Sequence, residues 1–528
     1  MQKFRVWAKD NRKEIFWMIV LMGVCFFILF LNRRLPFFVS DEGDNFLGAK
    51  MVANGLDVYK EFTSQHMPLM YYVCAIFYLL GARTVIQFRL FFYAFLCLLW
   101  GLMYLRYSKK YGRVTMLLYP LLYICVMHFM DFGYCVLSEQ LWAQGMVILL
   151  LEYLVYAKEK RISIRSVCWI SFAIFISFGT AFMAAVSIAI LFVGVMYHEI
   201  ILQVKEKNAV GQSIKEIWKR NWKLILIILI PFIVLILWYL ISGNLYNAYY
   251  GSFVVNREYY PRYMTSIQST KDTLLMPFMT LRNWVGQTQY TEAYVQIVIF
   301  GLFLVWLVMK KMYSASVVVA LFTIYCSIRG IDNFHALPFH AVIMMMGAIL
   351  FGAFVQKVIV PKLEKCTKTE QVVYVGCLII ALAVVCFPLY RSYYEKKGLI
   401  LVAENESVDA YPEGYDVINE LTDKNEKIYE CILNPWFYFA TDTLPVTTSA
   451  VCPWIYEAYH DDILGDLKRE KPRIVVYSED FNVWGNRFGD FAADMCDYFD
   501  NNYMLLDGYT SIYVRNDYYE EALAIISE

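Results

Sequence analysis

The ionisable residues of the first polar stretch carry the groups most able to do chemistry. Carboxylates and imidazoles are the side chains that most often act as general acids and bases. The fingerprints of many soluble enzymes are missing: the sequence has no phosphate-binding glycine loop, dinucleotide motif, H-E-x-x-H or nucleophile elbow. Three motifs follow one another here: Ser40-Asp41-Glu42-Gly43-Asp44, then Gly55-Leu56-Asp57-Val58-Tyr59, then Gln65-His66-Met67-Pro68-Leu69-Met70-Tyr71-Tyr72.

The composition is that of a membrane protein. The 528-residue chain is 59% hydrophobic and only 18% charged, with a mean hydropathy of +0.46. Soluble globular proteins carry about 25% charged residues and fewer apolar ones. The composition therefore excludes an ordinary cytosolic enzyme, and membrane-spanning elements are expected to position the acids.

Charge is distributed unevenly along the chain. The 47 basic residues balance the 47 acidic ones, but residues 1–397 hold 39 basic and 21 acidic residues, whereas residues 398–528 hold 8 and 26. One uniform domain would not show this split. The acidic tail also argues against nucleic acid as a partner, because its carboxylates would repel phosphate.

Eleven apolar segments are predicted to cross about 30 Å of hydrocarbon. The first, Ile15 to Asn32, follows basic residues and lacks a small-residue cleavage site, which is typical of a retained signal anchor. The stretch 166–202 is too long for one crossing and is predicted to fold as two, with a break near Gly179-Thr180. The other predicted spans lie near 88–105, 114–130, 135–157, 223–241, 292–309, 314–329, 336–356 and 372–390.

The loops between these spans predict an orientation. With a cytoplasmic N-terminus, 25 of the 39 basic residues fall in segments on that side, as the positive-inside rule requires. The acidic tail is then extracytoplasmic, in a multi-pass protein of the plasma membrane. The apolar segment 68–81 is only about fourteen residues long, and counting it as a crossing would place a basic loop outside. It is therefore predicted to lie in or near the membrane face.

The tail has the pattern of a small α/β domain. Helical spacing covers 455–470 and 488–499. The predicted domains are a transmembrane module over 1–396, which contains the first outer loop 33–87, and an extracytoplasmic acidic α/β domain over 397–528. Strands are predicted over 428–433, 474–477, 504–506 and 511–514, the last two joined by an Asp507-Gly508 turn.

Residues 38–72 resemble the GT-C class of polytopic membrane glycosyltransferases. The likeness rests on the Asp41-Glu42 pair after the first span, on Gly55-x-x-x-Tyr59, and on His66-x-Pro68-Leu69-x-Tyr71-Tyr72 at the entry to an apolar helix. Within that class the sequence resembles the bacterial members related to protein O-mannosyltransferases and to the aminoarabinose transferases of lipid A. These families often have a second Pro where this chain has Met67. The predicted fold class is thus a GT-C-like polytopic α-helical membrane protein with a C-terminal extracytoplasmic α/β domain.

The resemblance implies transfer of a sugar from a polyprenyl-phosphate donor. In such a reaction an acceptor hydroxyl attacks the anomeric carbon and the lipid phosphate leaves, so the site needs a carboxylate near the hydroxyl and cations near the phosphate. Asp41 is implied as the catalytic base and Glu42 as a further catalytic residue, with Glu42 or Asp44 as neighbours of Asp41 or as metal ligands. Asp44 is also a candidate for substrate binding. A divalent metal ion at Asp41 and Glu42 is left open. The alternative for all three acids is a solvated loop.

A second acid is implied at the outer end of the fourth span. Glu139 matches the related enzymes there more closely than Asp131 does. An acid in the outer third of a membrane helix is costly unless it is paired or takes part in function, so Glu139 is predicted to be catalytic. The alternative is a helix-end carboxylate that reaches water.

Arginine and histidine residues are predicted to hold the donor phosphate. The pattern of Arg329, His335 and Pro338 is similar to an R-x-x-x-x-x-H-x-x-P stretch of a related bacterial subset, and paired Arg and His suit a leaving phosphate. Each could instead anchor a helix end to lipid phosphates, which is the favoured interpretation for Arg257 and Arg262. The predicted phosphate-binding residues are His66, Arg89, Arg329, His335 and His340.

Aromatic residues offer further contacts to substrate. Tyr59, Tyr259, Tyr260 and Arg262 are candidates, because tyrosine rings can stack on a sugar face and Pro261 bends the chain. An aromatic belt beside the bilayer is the alternative. In the tail, residues that could contact an acceptor or simply pack in a core are Trp436, Phe437, Tyr438, Trp454 and Tyr456.

The favoured function is a mannosyltransferase-like enzyme of the cell envelope. It would transfer a sugar from a polyprenyl phosphate to a lipid, glycan or protein acceptor at the extracytoplasmic face. A transporter or flippase of a lipid-linked saccharide is the main alternative, but it should show ionisable groups near mid-span and an internal repeat. A binding or scaffold protein would leave the motifs of Asp41–Tyr72 unexplained.

Overall fold

The chain divides into two compact units. The helical unit comprises Met1–Pro36, Arg89–Ile233 and Thr273–Asn405, and the mixed unit comprises Phe37–Phe88, Val234–Asp272 and Glu406–Glu528. The computed structural model describes residues 11–35, 40–129, 132–205, 210–263, 291–329, 334–365, 413–447 and 452–527, together with 271, 274–279, 282, 367 and 368.

Ten described helices correspond to ten of the predicted spans. They form because their residues are apolar on nearly every face, as expected of helices buried in lipid or protein. The predicted eleventh span, 372–390, lies outside the described residues, so the count of eleven stays a prediction. The ten helices are Arg12–Leu31, Val85–Tyr111, Arg113–Phe129, Ser138–Glu159, Ile164–Phe178, Ala184–Lys205, Val210–Ile241, Thr291–Met309, Tyr313–Tyr325 and Leu337–Phe354.

The protein is a multi-pass membrane protein. Five described segments are long and apolar enough to cross a bilayer: Arg12–Leu31, Val85–Tyr111, Ser138–Glu159, Ala184–Ile201 and Phe334–Leu363. The break predicted near Gly179-Thr180 is confirmed, because one helix ends at Phe178 and the next begins at Ala184.

The Ser138–Glu159 helix is the most buried element of the helical unit. Every residue from Glu139 to Ala157 is buried. Gly145 allows the Ile164–Phe178 helix to approach, because a Cβ at that position would lie 2.7 Å from the carbonyl oxygen of Ala173. Glu152 faces the interior and pairs with Arg106, with 2.9 Å between Arg106 Nη2 and Glu152 Oε1. Close packing and the Arg106–Glu152 pair thus fix the frame in which Glu139 lies.

The mixed unit begins with two helices of the predicted first outer loop. The first-loop helix is Asp41–Ala53, and the second helix, Leu69–Leu79, has 11 residues. At 1.5 Å per residue the second helix is about 16 Å long, which is too short to cross a bilayer. Its predicted place in or near the membrane face stays a prediction. The remaining elements are Leu245–Tyr249, a π-helix over Tyr250–Tyr259, Tyr260–Tyr263, Tyr415–Leu421, Trp436–Ala440, Pro453–Glu470, Phe488–Phe491, Ala493–Asn502 and Tyr519–Ser527.

A five-stranded sheet forms the centre of the mixed unit. Its order is β2-β1-β3-β7-β6; β1 runs parallel to β2 and β3, whereas β7 is antiparallel to β3 and β6. A separate hairpin pairs β4 with β5. The strands are β1 Lys427–Glu430, β2 Leu444–Pro445, β3 Ile474–Val476, β4 Asn482–Val483, β5 Asn486–Arg487, β6 Tyr503–Leu505 and β7 Ile512–Arg515.

Both faces of this sheet are covered by other elements. Successive side chains of a strand point to opposite faces, so neighbouring residues enter different apolar clusters. Ile428 and Ile474 belong to one apolar cluster, which also contains Leu47 and Met51 of the first-loop helix. Tyr429 and its neighbours on the other face belong to a second cluster with the Pro453–Glu470 helix. The tail strands and the first-loop helix are therefore parts of one core.

The predicted α/β character of the tail is confirmed within 413–447 and 452–527. The strand predicted over 428–433 ends early, at Glu430, because Leu433 takes a positive φ of 52° and begins a turn. The predicted domain boundary between 396 and 397 falls outside the described residues and stays a prediction. The compact unit that contains the tail also contains 37–88 and 234–272.

Candidate active site

The acids of the first motif begin a helix. Asp41, Glu42 and Asp44 lie in the first turn of the first-loop helix, where the helix dipole favours negative charge. These acids therefore belong to a helix and not to a loop, and Asp41 and Asp44 are half-buried. Residues three apart share a helix face, so Asp41 and Asp44 point to the same side. Glu42 lies on another side and is fully buried, so the structure does not bring it together with Asp41.

A cleft in the mixed unit collects three of the predicted site residues. Asp41, Asp44 and His66 line it, and the space within it and at its open mouth amounts to about 530 Å³. The other walls come from the segment after the first-loop helix and from the tail. The remaining lining residues are Ser40, Thr63, Ser64, Gln65, Tyr71, Leu433, Pro435, Cys452, Trp454, Ile455 and Trp484.

Tyr59 holds the segment that carries His66. The Tyr59 hydroxyl lies 2.5 Å from the carbonyl oxygen of His66 and 2.8 Å from Ser252 Oγ. The backbone N–H of His66 donates to Ser64 Oγ at 3.0 Å. Gly251 lies so close that a Cβ there would be 2.5 Å from the carbonyl oxygen of Ser64. Tyr59, predicted to bind substrate, therefore supports the wall of the cleft from behind.

A short hydrogen-bond chain fixes Asp44. The Tyr71 hydroxyl donates to Asp44 Oδ2 at 2.5 Å. Because the Tyr71 proton is used there, Ser64 Oγ, 2.8 Å away, is the donor to the Tyr71 oxygen. Asp44 is thus held in place by Tyr71, which belongs to the third sequence motif.

Two tryptophans of the tail form an aromatic wall. Trp454 Nε1 donates to Gln65 Oε1 at 2.7 Å, and the ring centroids of Trp454 and Trp484 are 5.1 Å apart. Of the tail aromatics predicted as acceptor contacts, Trp454 lines the cleft, whereas Phe437 and Tyr438 are buried in the core.

Lys50 ties the first-loop helix to the tail. Its Nζ donates to the carbonyl oxygens of Tyr438 at 3.1 Å and Thr443 at 3.0 Å, and it pairs with Asp442 Oδ1 at 3.1 Å. Burial lowers the pKa of the Lys50 ammonium, and the Asp442 carboxylate opposes that shift. Three oxygen acceptors therefore compensate the cation for its burial and fix the last turn of the first-loop helix against the tail.

Glu430 shapes the opposite wall. Glu430 Oε1 accepts the backbone N–H of Ile432 at 2.7 Å and of Asn434 at 3.1 Å, which fixes the turn that presents Leu433 and Pro435 to the cleft. The carboxyl group is fully buried, and burial raises its pKa to about 8, partly opposed by the two backbone N–H groups.

The predicted phosphate-binding residues separate into several places. In the helical unit, Glu139 Oε1 lies 2.8 Å from Arg329 Nη1 and 2.7 Å from His335 Nδ1. Arg329 Nη2 is 3.2 Å from His335 Nε2. With Nδ1–H donating to Glu139, His335 Nε2 accepts from Arg329, so the three side chains form a closed cluster. Asp131, the weaker candidate acid, lies outside the described residues.

Arg89 and His340 do not join this Glu139–Arg329–His335 cluster. Arg89 is buried, and its Nη1 donates to the carbonyl oxygens of Arg33 at 3.2 Å and Leu35 at 2.5 Å. His340 Nδ1 is hydrogen-bonded to Gln296 Oε1 inside the helical unit. Arg89 therefore binds backbone carbonyl oxygens, and His340 binds a neighbouring side chain. Buried polar side chains usually make hydrogen bonds of this kind.

Tyr259, Tyr260 and Arg262 contact the tail helix that carries Trp454. The ring of Tyr260 meets Trp454 edge-on, with 4.9 Å between centroids. Arg262 pairs with Glu457 and lies 4.8 Å over the ring of Tyr259. Their contacts brace the aromatic wall, and none of the three lines the cleft.

The described part of the chain contains no group of three or more His, Cys, Asp or Glu side chains placed to hold a metal ion. Glu42, the predicted partner of Asp41 in a metal site, is buried and does not line the cleft. A divalent metal ion at Asp41 stays a prediction.

Sequence reasoning missed four residues of this site: Gln65, Lys50, Glu430 and Trp484. Lys50 and Gln65 meet partners far along the chain, so no local pattern identifies their roles. Glu430 bonds to the nearby backbone of Ile432 and Asn434, but its burial comes from the tertiary structure. Trp484 alone had a usable signal, because the Gly485 that follows it is a residue favoured at the second position of a tight turn.

Comparison with known proteins identifies the fold. No protein-family model and no curated protein matches the chain. The structure is similar to ArnT from Cupriavidus metallidurans bound to undecaprenyl phosphate, with a TM-score of 0.54, 12% identity, and coverage of 94% of this chain and 97% of ArnT. The same enzyme in the apo state gives a TM-score of 0.53 at 12% identity and the same coverage.

A weaker likeness links the chain to the archaeal oligosaccharyltransferase AglB from Archaeoglobus fulgidus in complex with an inhibitory peptide and a dolichol-phosphate. Its TM-score is 0.48 at 11% identity, over 97% of this chain and 75% of AglB. ArnT, an aminoarabinose lipid A transferase, and AglB are both GT-C enzymes. The full-length match to ArnT confirms the resemblance to the GT-C class of polytopic membrane glycosyltransferases at the level of the fold.

Proposed function

We propose that the protein is a membrane glycosyltransferase that moves a sugar from a polyprenyl-phosphate donor to an acceptor hydroxyl. The observation that carries the proposal is the cleft, where Asp41, Asp44 and His66 meet in a chain with the ArnT fold. Sugar transfer of this kind needs a fixed carboxylate in a pocket that excludes bulk water.

In the proposed reaction Asp41 is the catalytic residue. Its carboxylate takes the proton of the acceptor hydroxyl, whose oxygen forms a bond to the anomeric carbon. The bond from that carbon to the phosphate oxygen breaks, and its electron pair leaves on the polyprenyl phosphate. Asp44, held by Tyr71, orients sugar hydroxyls beside Asp41, and His66 stabilises developing charge in the same cleft.

The Glu139–Arg329–His335 cluster supports a different assignment for Glu139. The carboxylate is already bonded to Arg329 and His335, so we assign it as a positioning residue for a phosphate-binding pair. Arg329 keeps an exposed edge, with 36% of its side chain accessible. An arginine with free N–H groups beside a histidine suits a phosphate ester.

The proposed orientation follows the charge of the loops. The N-terminus is cytoplasmic and the mixed unit extracytoplasmic, at the plasma membrane, because the basic loops then lie inside. The solved structures of ArnT and AglB contain undecaprenyl phosphate and dolichol-phosphate, and we infer a carrier lipid of that kind here. The acceptor is a lipid, a glycan or a protein.

The experiment is an assay of the purified full-length protein with a panel of polyprenyl-phosphate sugars. Membrane lipid, glycan and protein extracts serve as acceptors, and the release of polyprenyl phosphate is measured together with sugar transfer. We expect both products with at least one donor. A flippase would instead move the intact donor across proteoliposomes without releasing phosphate, and that result would contradict the proposal.

A further inference from the structure

Trp484 adopts a backbone conformation that its side chain disfavours. Trp484 has a φ of 47° and Gly485 a φ of 87°, and two left-handed residues in a two-residue loop form a type I′ turn. That turn favours Asn or Asp followed by Gly, and a bulky residue in the first position is strained. The side chain is also 54% exposed, so burial does not offset the strain. Strain of this kind is typical of functional positions.

The hairpin that presents Trp484 is rigid. The backbone N–H of Gly485 donates to Asn482 Oδ1 at 2.7 Å, and Asn486 Nδ2 donates to the carbonyl oxygen of Val483 at 3.2 Å. Val483 is buried in the tail core. The Trp484 ring is therefore held in a fixed place, as a binding platform requires.

The second ring of the platform is equally fixed. Trp454 and Trp484 lie 5.1 Å apart with 35° between their planes. Trp454 is anchored by its bond to Gln65 and by the edge-on contact with Tyr260. Both rings line the cleft that contains Asp41 and His66.

We propose that the exposed ring of Trp484 binds a pyranose ring in this cleft, with the buried Trp454 ring supporting it from behind. One face of a pyranose carries several C–H groups, which pack against the electron-rich face of an indole. The hydroxyl groups at the sugar edge need planar polar partners, and Asp44, Gln65 and His66 line the same cleft. The identity of the ring as donor or acceptor sugar rests on the proposed function, whereas pyranose binding does not.

The test is saturation-transfer NMR on the full-length protein in nanodiscs. The probes are the methyl pyranosides of glucose, galactose, mannose and N-acetylglucosamine. For at least one probe we expect saturation transfer from the protein to the C–H protons on one face of the sugar ring. Trp484→Asn, which suits the turn and removes the ring, should lower that signal about fivefold, and Trp484→Phe should retain part of it. Tyr246→Asn removes a ring that is 70% exposed outside the cleft and should have no effect.

Equal signals in the wild type and Trp484→Asn, or no signal from any pyranoside in the wild type, would overturn the proposal. Circular dichroism and size exclusion establish that Trp484→Asn is folded. Adding a polyprenyl-phosphate hexose then shows whether the bound ring corresponds to the donor or to the acceptor sugar. If the hexose displaces the methyl pyranoside, the platform binds the donor sugar; if the pyranoside signal remains, the platform binds the acceptor sugar. Pyranoside binding that depends on Trp484 without sugar transfer would refute the proposed function alone.

Discussion

Glu430 should make the stability of the mixed unit depend on pH. Its carboxyl group is fully buried and has one oxygen, Oε2, without a hydrogen-bond partner. Burial raises the pKa from 4.5 to about 8. The folded state therefore keeps the proton over a range in which the unfolded chain releases it. Stability is highest below pH 4.5 and is lost as the pH rises towards 8.

The size of the effect follows from the two pKa values. One pKa unit corresponds to about 1.36 kcal/mol, and integration between pH 5 and pH 7 gives a loss of about 2.5 kcal/mol in the free energy of unfolding. Glu430→Gln keeps an oxygen that can accept the N–H groups of Ile432 and Asn434 but carries no titrating proton. The variant should lack this pH-dependent component.

Amide hydrogen exchange of the full-length protein in nanodiscs measures the difference. Protection of β1, after correction for intrinsic exchange, should fall about 70-fold more in the wild type than in Glu430→Gln between pH 5 and pH 7. Glu420→Gln, at an exposed position, should follow the wild type. Parallel loss of protection in the wild type and Glu430→Gln would refute the reasoning.

Three further substitutions test other parts of the site. Lys50→Met should leave the carbonyl oxygen of Thr443 without its Lys50 donor, at a cost of about 1–3 kcal/mol, whereas the carbonyl oxygen of Tyr438 keeps the backbone N–H of Thr443; faster exchange in the Trp436–Ala440 helix would show the loss, and unchanged exchange would contradict it. Glu139→Gln should raise the KM for the donor more than it lowers kcat, because it loosens a phosphate-binding pair; a pure kcat effect would argue for a catalytic role instead. His66→Ala should lower kcat about tenfold or more at unchanged thermal stability, and full activity would remove His66 from the mechanism.

Much of the fold could be predicted because its signals are local. Apolar segments of span length, the break at Gly179-Thr180 and the Asp507-Gly508 turn each depend on a few adjacent residues. The motifs of the first loop also placed Asp41, Asp44 and His66 correctly in one region. Glu42 was grouped with them because adjacent acids look alike in sequence, whereas a helix turns 100° per residue and directs Glu42 elsewhere.

The rest of the site depends on contacts between distant parts of the chain. Lys50 meets partners at positions 438, 442 and 443, and Gln65 meets Trp454. The sequence around Arg89 does not show whether its guanidinium binds a phosphate or a carbonyl oxygen. Only the tertiary structure shows that it donates to the backbone at Arg33 and Leu35.

Sugar transfer by Asp41→Asn is the most direct test of the central claim. The substitution keeps the size of the side chain and removes the base, so transfer from the active polyprenyl-phosphate sugar should fall at least about 100-fold. The variant should remain folded and inserted, and Glu61→Gln, at an exposed position of the same segment, should keep wild-type activity. Undiminished transfer by Asp41→Asn, in an assay that depends on the wild-type protein, would contradict the account.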